Sequence, residues 1–293
     1  MFIYGSDGVI VGEEYVDVLC KVGLVSFDDF MNFSGGKLIK RRGRKEVWQF
    51  EVDGRLFYLK RSISSLWDFL RALLRGGMLG FYGLRELRNI ALLNALGFET
   101  AKPVAAGSRW RNGFVNEAFL ITEAVDAVAL DAFLRNEYAP PLTKEQIERK
   151  RNLLRHLAKF ISRLHSLGLH HQDLFLHHLA VRGNEHNGYR FILLDLDRLT
   201  IAFYRRRAMI KDLAKLLLSS YDVPLSATDR WRFFLEYAKH SKIKPRDVKL
   251  IRQTWKKAIW VGKRDHKFRN AFKRMKDELT KSQHRWVSLH SHQ

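Results

Sequence analysis

The sequence predicts an α+β chain of two lobes, a small β-rich lobe over residues 1–124 and a mostly helical one over 125–293. Three stretches predict it. Val47 to Val52 alternates apolar and polar residues, Asp53-Gly54 is a two-residue hairpin turn, and Leu56 to Lys60 continues as the partner strand. A long amphipathic pattern from Thr143 to Leu164, stopped by Gly168, delivers the chain to His170-His171-Gln172-Asp173. Seventeen residues past His178, the apolar run Phe191 to Leu194 ends in Asp195.

Taken in order, residues 1–30 are mixed and acidic-leaning and predict no particular element. Phe33-Ser-Gly35-Gly36-Lys37 opens the β-rich region. Lys60, at the end of the hairpin's second strand, reads either as an edge lysine or as a grip on phosphate. Ser64 to Gly80 places Leu66, Trp67, Phe69, Leu70, Leu73 and Leu74 beside Arg71 and Arg75. That face packs on the lobe or lies on lipid headgroups. Leu84 to Leu96 is a helix closed by Gly97. Glu86 in its first turn suits the helix N-terminus, or fixes Lys60. Phe119 to Val125 is an apolar strand, and Leu130 begins a helix beyond the junction. Thr143 and Gln146 form a capping box for the long helix, whose apolar face is Ile147, Leu154, Leu157, Ile161 and Leu164. His178–Val181 and Tyr189–Leu194 make a hairpin. Helices follow at Met209–Ser219, which carries Asp212, and at Trp231–Ala238.

Lys and Arg number 52 against 31 acids, a formal charge of +21, with a pI near 10.2. Such a surface seeks polyanions, whether nucleic acid, anionic membrane or a phosphorylated or carboxylated substrate. From Lys242 to Arg285 there are sixteen Lys or Arg and four acids, interleaved with Trp255, Trp260, Phe268, Phe272 and Trp286. This is a basic helical face with aromatic anchors, or a solvated face with its aromatics in the core. Val287 to Gln293 reads as a frayed end. Cys20 is the only cysteine, which excludes an intrachain disulfide and fits a reducing compartment. Met1 to Asp17 lacks the pattern of a secretory signal, and no run of 18 apolar residues predicts a membrane span.

The two carboxylates suit phosphoryl transfer. One, on a loop, orients an attacking hydroxyl and accepts its proton; the other, ending a strand, holds the metal that bridges nucleotide phosphates. The protein-kinase pattern has its catalytic Asp two residues after a His and a metal-binding Asn five residues later. His171 and Asp173 fit it, but His178 stands in the Asn position. Lys60, Glu86, Asp173 and Asp195 follow in the order of a bilobal, protein-kinase-like fold.

These motifs make the chain resemble the lipopolysaccharide kinase (Kdo/WaaP) family of Gram-negative bacteria. The likeness runs from about Lys37 to Tyr237. It takes in Asp53 to Arg61, Arg85-Glu86-Leu-Arg88, Leu96 to Gly107, Phe119 to Glu123, Leu164 to Asp173, Leu194 to Arg198 and Lys211 to Leu216. The histidine at His178 is shared with that family. The resemblance implies ATP and Mg²⁺ as cofactors. Lys60, fixed by Glu86, contacts the ATP phosphates, and Asp173 deprotonates a sugar hydroxyl. Asp195 binds metal, with His178 at the second metal position or hydrogen-bonded to Asp173 or phosphate; imidazole is a poor partner for hard Mg²⁺. The backbone of Glu123 to Val125 holds the adenine edge, and Asp212 braces the catalytic loop. Three departures stand out. Only Gly35-Gly36, with Lys37, Lys40 or Arg41, is available to cover phosphates. Gln172 replaces the usual Arg, so control by loop phosphorylation is not expected. Asp195-Leu-Asp197 lacks a glycine, so no flipping metal loop is expected.

The expected activity is phosphorylation of a heptose hydroxyl in the lipopolysaccharide inner core. The alternatives are a Kdo kinase, a protein kinase on Ser, Thr or Tyr, and a non-enzymatic basic module. The expected partners are the core glycolipid and the anionic cytoplasmic face of the inner membrane, without nucleic acid. The expected place is cytoplasmic, peripheral on that membrane face.

Overall fold

A computed structural model describes residues 2–4, 7–65, 82–111, 115–184, 187–201, 205–240 and 244–290. The amphipathic stretch Ser64–Gly80 therefore lies almost wholly outside the described residues. The chain divides into two compact units, 1–126 with 195–197, and 127–194 with 198–293.

The first unit is built on a fully antiparallel seven-stranded sheet. Its strands are β1 (Phe2–Tyr4), β2 (Val9–Gly12), β3 (Lys37–Arg42), β4 (Lys45–Val52), β5 (Arg55–Ser65), β7 (Pro103–Arg111) and β8 (Val115–Glu123), and β6 (Glu99–Thr100) is a short extended piece. The spatial order is β1-β2-β7-β8-β5-β4-β3. The β4–β5 turn puts both Asp53 (φ 51°) and Gly54 (φ 71°) in the left-handed region. That is the backbone a tight hairpin needs to match strand twist. The turn sets the register in which Lys60 lies opposite Val47 on β4 and Leu120 on β8.

Side chains alternate across this sheet. Phe119 turns to one face, where Phe30 of α2 (Phe27–Asn32) stacks on it and Phe27 meets it edge-on. Tyr15, Leu19 beside it on α1 (Val16–Cys20), Phe57 and Leu59 join the same buried cluster. Of the first thirty residues, for which the sequence predicts nothing, β1 and β2 thus extend the sheet and 13–30 close one of its faces. Ser26 caps α2 with a reciprocal Asp29 box. Lys60 points to the other face, where α3 (Tyr82–Ala95) carries Glu86. Gly83 makes this approach possible: a Cβ there would lie 2.2 Å from the Phe119 carbonyl oxygen.

The second unit is mostly helical. It contains α4 (Leu130–Glu137), α5 (Lys144–Ser166), α6 (Arg205–Ser219), α7 (Ala227–Ala238), α8 (Pro245–Arg264) and α9 (Arg269–His290). Beside them β9 (Val128–Ala129), β11 (Leu179–Arg182) and β12 (Arg190–Leu193) pair antiparallel, and β10 (Leu169–His170) pairs with β13 (Thr200–Ile201). The Thr143–Gln146 capping box opens α5, and Gly168 at φ 75° turns the chain after it. Lys150 of α5 and Asp229 of α7 form a buried ion pair at 2.9 Å.

The basic segment Lys242–Arg285 resolves residue by residue. Trp255, Phe268 and Phe272 pack with Phe175, Leu218 and Met275 in the core. Trp260 is 45% exposed, with the Lys257 ammonium 3.6 Å and the Arg264 guanidinium 4.0 Å from its ring centre. The side chain of Trp286 lies outside the description. α9 continues to His290, past the point where the sequence suggests fraying.

Candidate active site

In the first unit the site is a buried charge cluster. Lys60 donates to Glu86 Oε1 at 2.7 Å. Glu86 Oε1 also accepts the Leu196 N–H at 3.3 Å, and Asn89 Nδ2 donates to the Leu196 carbonyl at 2.7 Å. Helix α3 thereby holds the Asp195–Asp197 turn from two adjacent rungs. Arg85 completes it, donating to Asp197 Oδ1 at 2.6 Å, while Lys45 lies 3.9 Å from Asp197 Oδ2. Asp195 sits at φ 55°, a conformation that costs a non-glycine residue of order 1 kcal/mol or more and recurs at functional sites. Desolvation works against the Lys60 ammonium, but the carboxylates of Glu86, Asp195 and Asp197 outweigh it and hold the lysine charged.

The segment Glu123 to Val125 also lies in this unit. The Glu123 carboxylate is taken by Arg55, at 2.8 and 3.0 Å, and by the Tyr15 hydroxyl at 2.8 Å. Its N–H donates to Lys102 O, and the Ala124 N–H to Leu56 O. Val125 makes no hydrogen bond among the described residues. Gly36 carries a packing duty: a Cβ there would lie 2.4 Å from the Gln49 carbonyl oxygen. Gly43 (φ 59°) lies in the β3–β4 turn between Arg42 and Lys45.

In the second unit Asp212 organises the loop that carries Asp173. Its Oδ2 accepts the His171 N–H at 2.8 Å and lies 3.3 Å from His165 Nε2, whose other nitrogen meets the Tyr237 hydroxyl at 2.8 Å. His171 is fully buried. Its Nδ1 accepts the Asp173 N–H at 3.3 Å, so Nε2 carries the proton and donates to Leu194 O at 2.8 Å. His178 Nδ1 meets the Asp173 carbonyl at 2.7 Å and must be the donor, because a carbonyl only accepts. Any contact of His178 with metal or phosphate falls to Nε2.

Sequence reasoning missed two residues here. Lys215 Nζ pairs with Asp173 Oδ1 and donates to the Gln172 carbonyl at 2.8 Å. Lys211 Nζ donates to Gln172 Oε1 at 2.9 Å. Gln172 itself stands at φ 65°. Burial raises the Asp173 carboxyl, but Lys215, with His178 and Arg198, overrides it and holds the group below the usual carboxylate range. Burial and the charges of Lys215 and Arg198 press the Lys211 ammonium down to about 8. The signal was present in sequence, as lysines four residues apart around Asp212, but amphipathic helices carry such pairs routinely.

The donor set fits a hard divalent cation: Asp195 offers carboxylate oxygen, and Mg²⁺ takes one or two such ligands and completes its shell with water and substrate phosphate. The family model of the lipopolysaccharide kinase (Kdo/WaaP) family matches residues 36–237. The lipopolysaccharide core heptose(I) kinase WaaP of Escherichia coli K12 is 28% identical over 209 residues, 69% of this chain and 77% of that protein. The enzyme of the same name from Pseudomonas aeruginosa is 28% identical over 210 residues, 69% of this chain and 76% of that one. Among solved structures, WaaP in complex with acyl carrier protein superposes with a TM-score of 0.65 at 22% identity, over 85% of this chain and 97% of that one. That match shows a shared fold. With more than half its length matched by the family model, the chain belongs to the lipopolysaccharide kinase (Kdo/WaaP) family and is a phosphotransferase.

Proposed function

We propose that this kinase uses ATP to phosphorylate a heptose hydroxyl of the lipopolysaccharide core. The observation that carries the reading is the pair of prepared carboxylate settings inside a lipopolysaccharide kinase. Asp195 is locked beside the Lys60–Glu86 pair, and Asp173 is held ionised on its own loop. The curated relatives that cover most of the chain are core heptose(I) kinases, which favours heptose over Kdo as acceptor and glycolipid over peptide.

In this reading Lys60, fixed by Glu86, holds the nucleotide phosphates, and the Val125 backbone takes the base edge. Mg²⁺ held by Asp195 supplies charge neutralisation on the phosphates. Asp173 orients the acceptor hydroxyl, and positioning with electrostatic stabilisation supplies most of the catalysis. His178 fixes the loop through the Asp173 carbonyl; its imidazole serves metal or phosphate only through Nε2.

The place of action follows from charge. No helix among the described residues is long and apolar enough to cross a membrane. The exposed cations of α8 and α9, with Trp260 among them, suit peripheral attachment to the anionic cytoplasmic face of the inner membrane. The solved relative was captured with acyl carrier protein, so a carrier protein joins the partners we infer for this chain.

The test is transfer of labelled γ-phosphate from ATP to three acceptors: core glycolipid lacking heptose phosphate, a Kdo-only glycolipid, and a mixed peptide substrate. Labelling of the first alone is expected. Labelling of the second or third instead assigns the chain to that acceptor.

A further inference from the structure

Position 172 is neutral in this chain, and the positive charge beside Asp173 comes from α6. Lys215 is 7% exposed. Its ammonium is paired with Asp173 Oδ1, bonded to the Gln172 carbonyl at 2.8 Å and 5.0 Å from the Phe175 ring centre. One turn earlier Lys211 holds the Gln172 side chain, and between them Asp212 holds the His171 N–H. One stretch of helix therefore fixes three consecutive loop residues, including Gln172 in its left-handed conformation.

The choice of carboxylate oxygen matters. Oδ1 is occupied by Lys215, whereas Oδ2 has no hydrogen-bond partner among the described residues. A buried lysine is costly unless paired. A purely structural pair would serve equally well on a carboxylate with no further task. We propose that Lys215 is a positioning residue for phosphoryl transfer, pinning Asp173 so that Oδ2 faces the acceptor hydroxyl. The inference rests on the kinase reading above. In the step it serves, the acceptor oxygen forms a bond to the γ-phosphorus as its proton passes to Oδ2. The bond from the γ-phosphorus to the β–γ bridging oxygen breaks, and the electron pair leaves on ADP.

The experiment measures transfer to core glycolipid by the full chain carrying Lys215→Met, Lys215→Gln or Lys215→Arg, the first also combined with Asp173→Asn. Lys215→Met and Lys215→Gln should lower kcat about ten- to hundredfold, the scale of misplacing a catalytic group by about 1 Å, with KM for ATP unchanged. Lys215→Arg should recover part of the loss. In the Asp173→Asn background Lys215→Met should cost nothing more, because the lysine acts only through that carboxylate. Full kcat in Lys215→Gln overturns the proposal, and so does an equal further loss in the Asp173→Asn background. No transfer by the wild-type protein to any acceptor overturns the kinase reading itself and the inference with it.

Discussion

At the scale of single residues the chain invests buried charge where chemistry is needed. Lys60 has three carboxylates around it. Replacing it by Met removes the cation bonded to Glu86 and facing Asp195, so ATP affinity falls and kcat drops about a hundredfold or more. Steady-state kinetics with an ATP-binding titration check this, and unchanged ATP affinity would count against the role given to Lys60. Glu86→Gln keeps one hydrogen bond and should cost less. Much of this was legible in sequence. Lys60, Glu86, Asp173 and Asp195 announce themselves by residue type and order. Lys215 and Arg85 do not, because a cation on a helix is a common surface residue until its partner is seen. The exposed half of the Lys242–Arg285 pattern was likewise unreadable one residue at a time: Trp255 and Trp260 are five apart, and only helix phase decides that one is core and the other is solvent-facing.

At the scale of elements, two contacts hold the functional pieces in place. Gly83 lets α3 sit against the Phe119 backbone, one turn before Glu86. Gly83→Ala forces α3 off the sheet, so thermal stability and ATP binding should fall together, whereas Gly23→Ala, with open space around its Cβ but a left-handed φ of 72°, should cost stability through backbone strain alone and leave ATP binding unchanged. In the helical unit the Lys150–Asp229 pair joins α5 to α7. Asp229→Ala strands a buried ammonium and should cost about 3–5 kcal/mol in denaturant unfolding. Burial opposes the Asp229 carboxylate, but Lys150 and Ser226 more than compensate and lower its pKa. A carboxyl depressed in the folded state adds stability above its unfolded pKa of about 3.9, and that increment is lost as pH falls through the lower folded value. Wild-type protein should therefore lose stability more steeply than Asp229→Ala below about pH 4. The hairpin turn at Asp53-Gly54 and the Thr143 capping box were readable because local rules fix them. The first thirty residues were not, since their strands and short helices gain definition only by packing on Phe57 and Phe119.

At the scale of the molecule the excess charge of +21 calls for a polyanionic partner. Binding to liposomes containing anionic lipid should weaken as salt rises, since surface electrostatics are screened over about 10 Å at 0.1 M salt. Trp260→Ala with Lys257→Glu should reduce it further. Binding that ignores both salt and these substitutions would remove the membrane surface from the account. The most direct test of the central claim is transfer of labelled γ-phosphate from ATP to core glycolipid that lacks heptose phosphate, comparing wild type with Asp173→Asn. The account predicts label on a heptose hydroxyl with wild type and a loss of at least about a hundredfold with the variant, both proteins binding ATP alike. Equal transfer by the two proteins would contradict it.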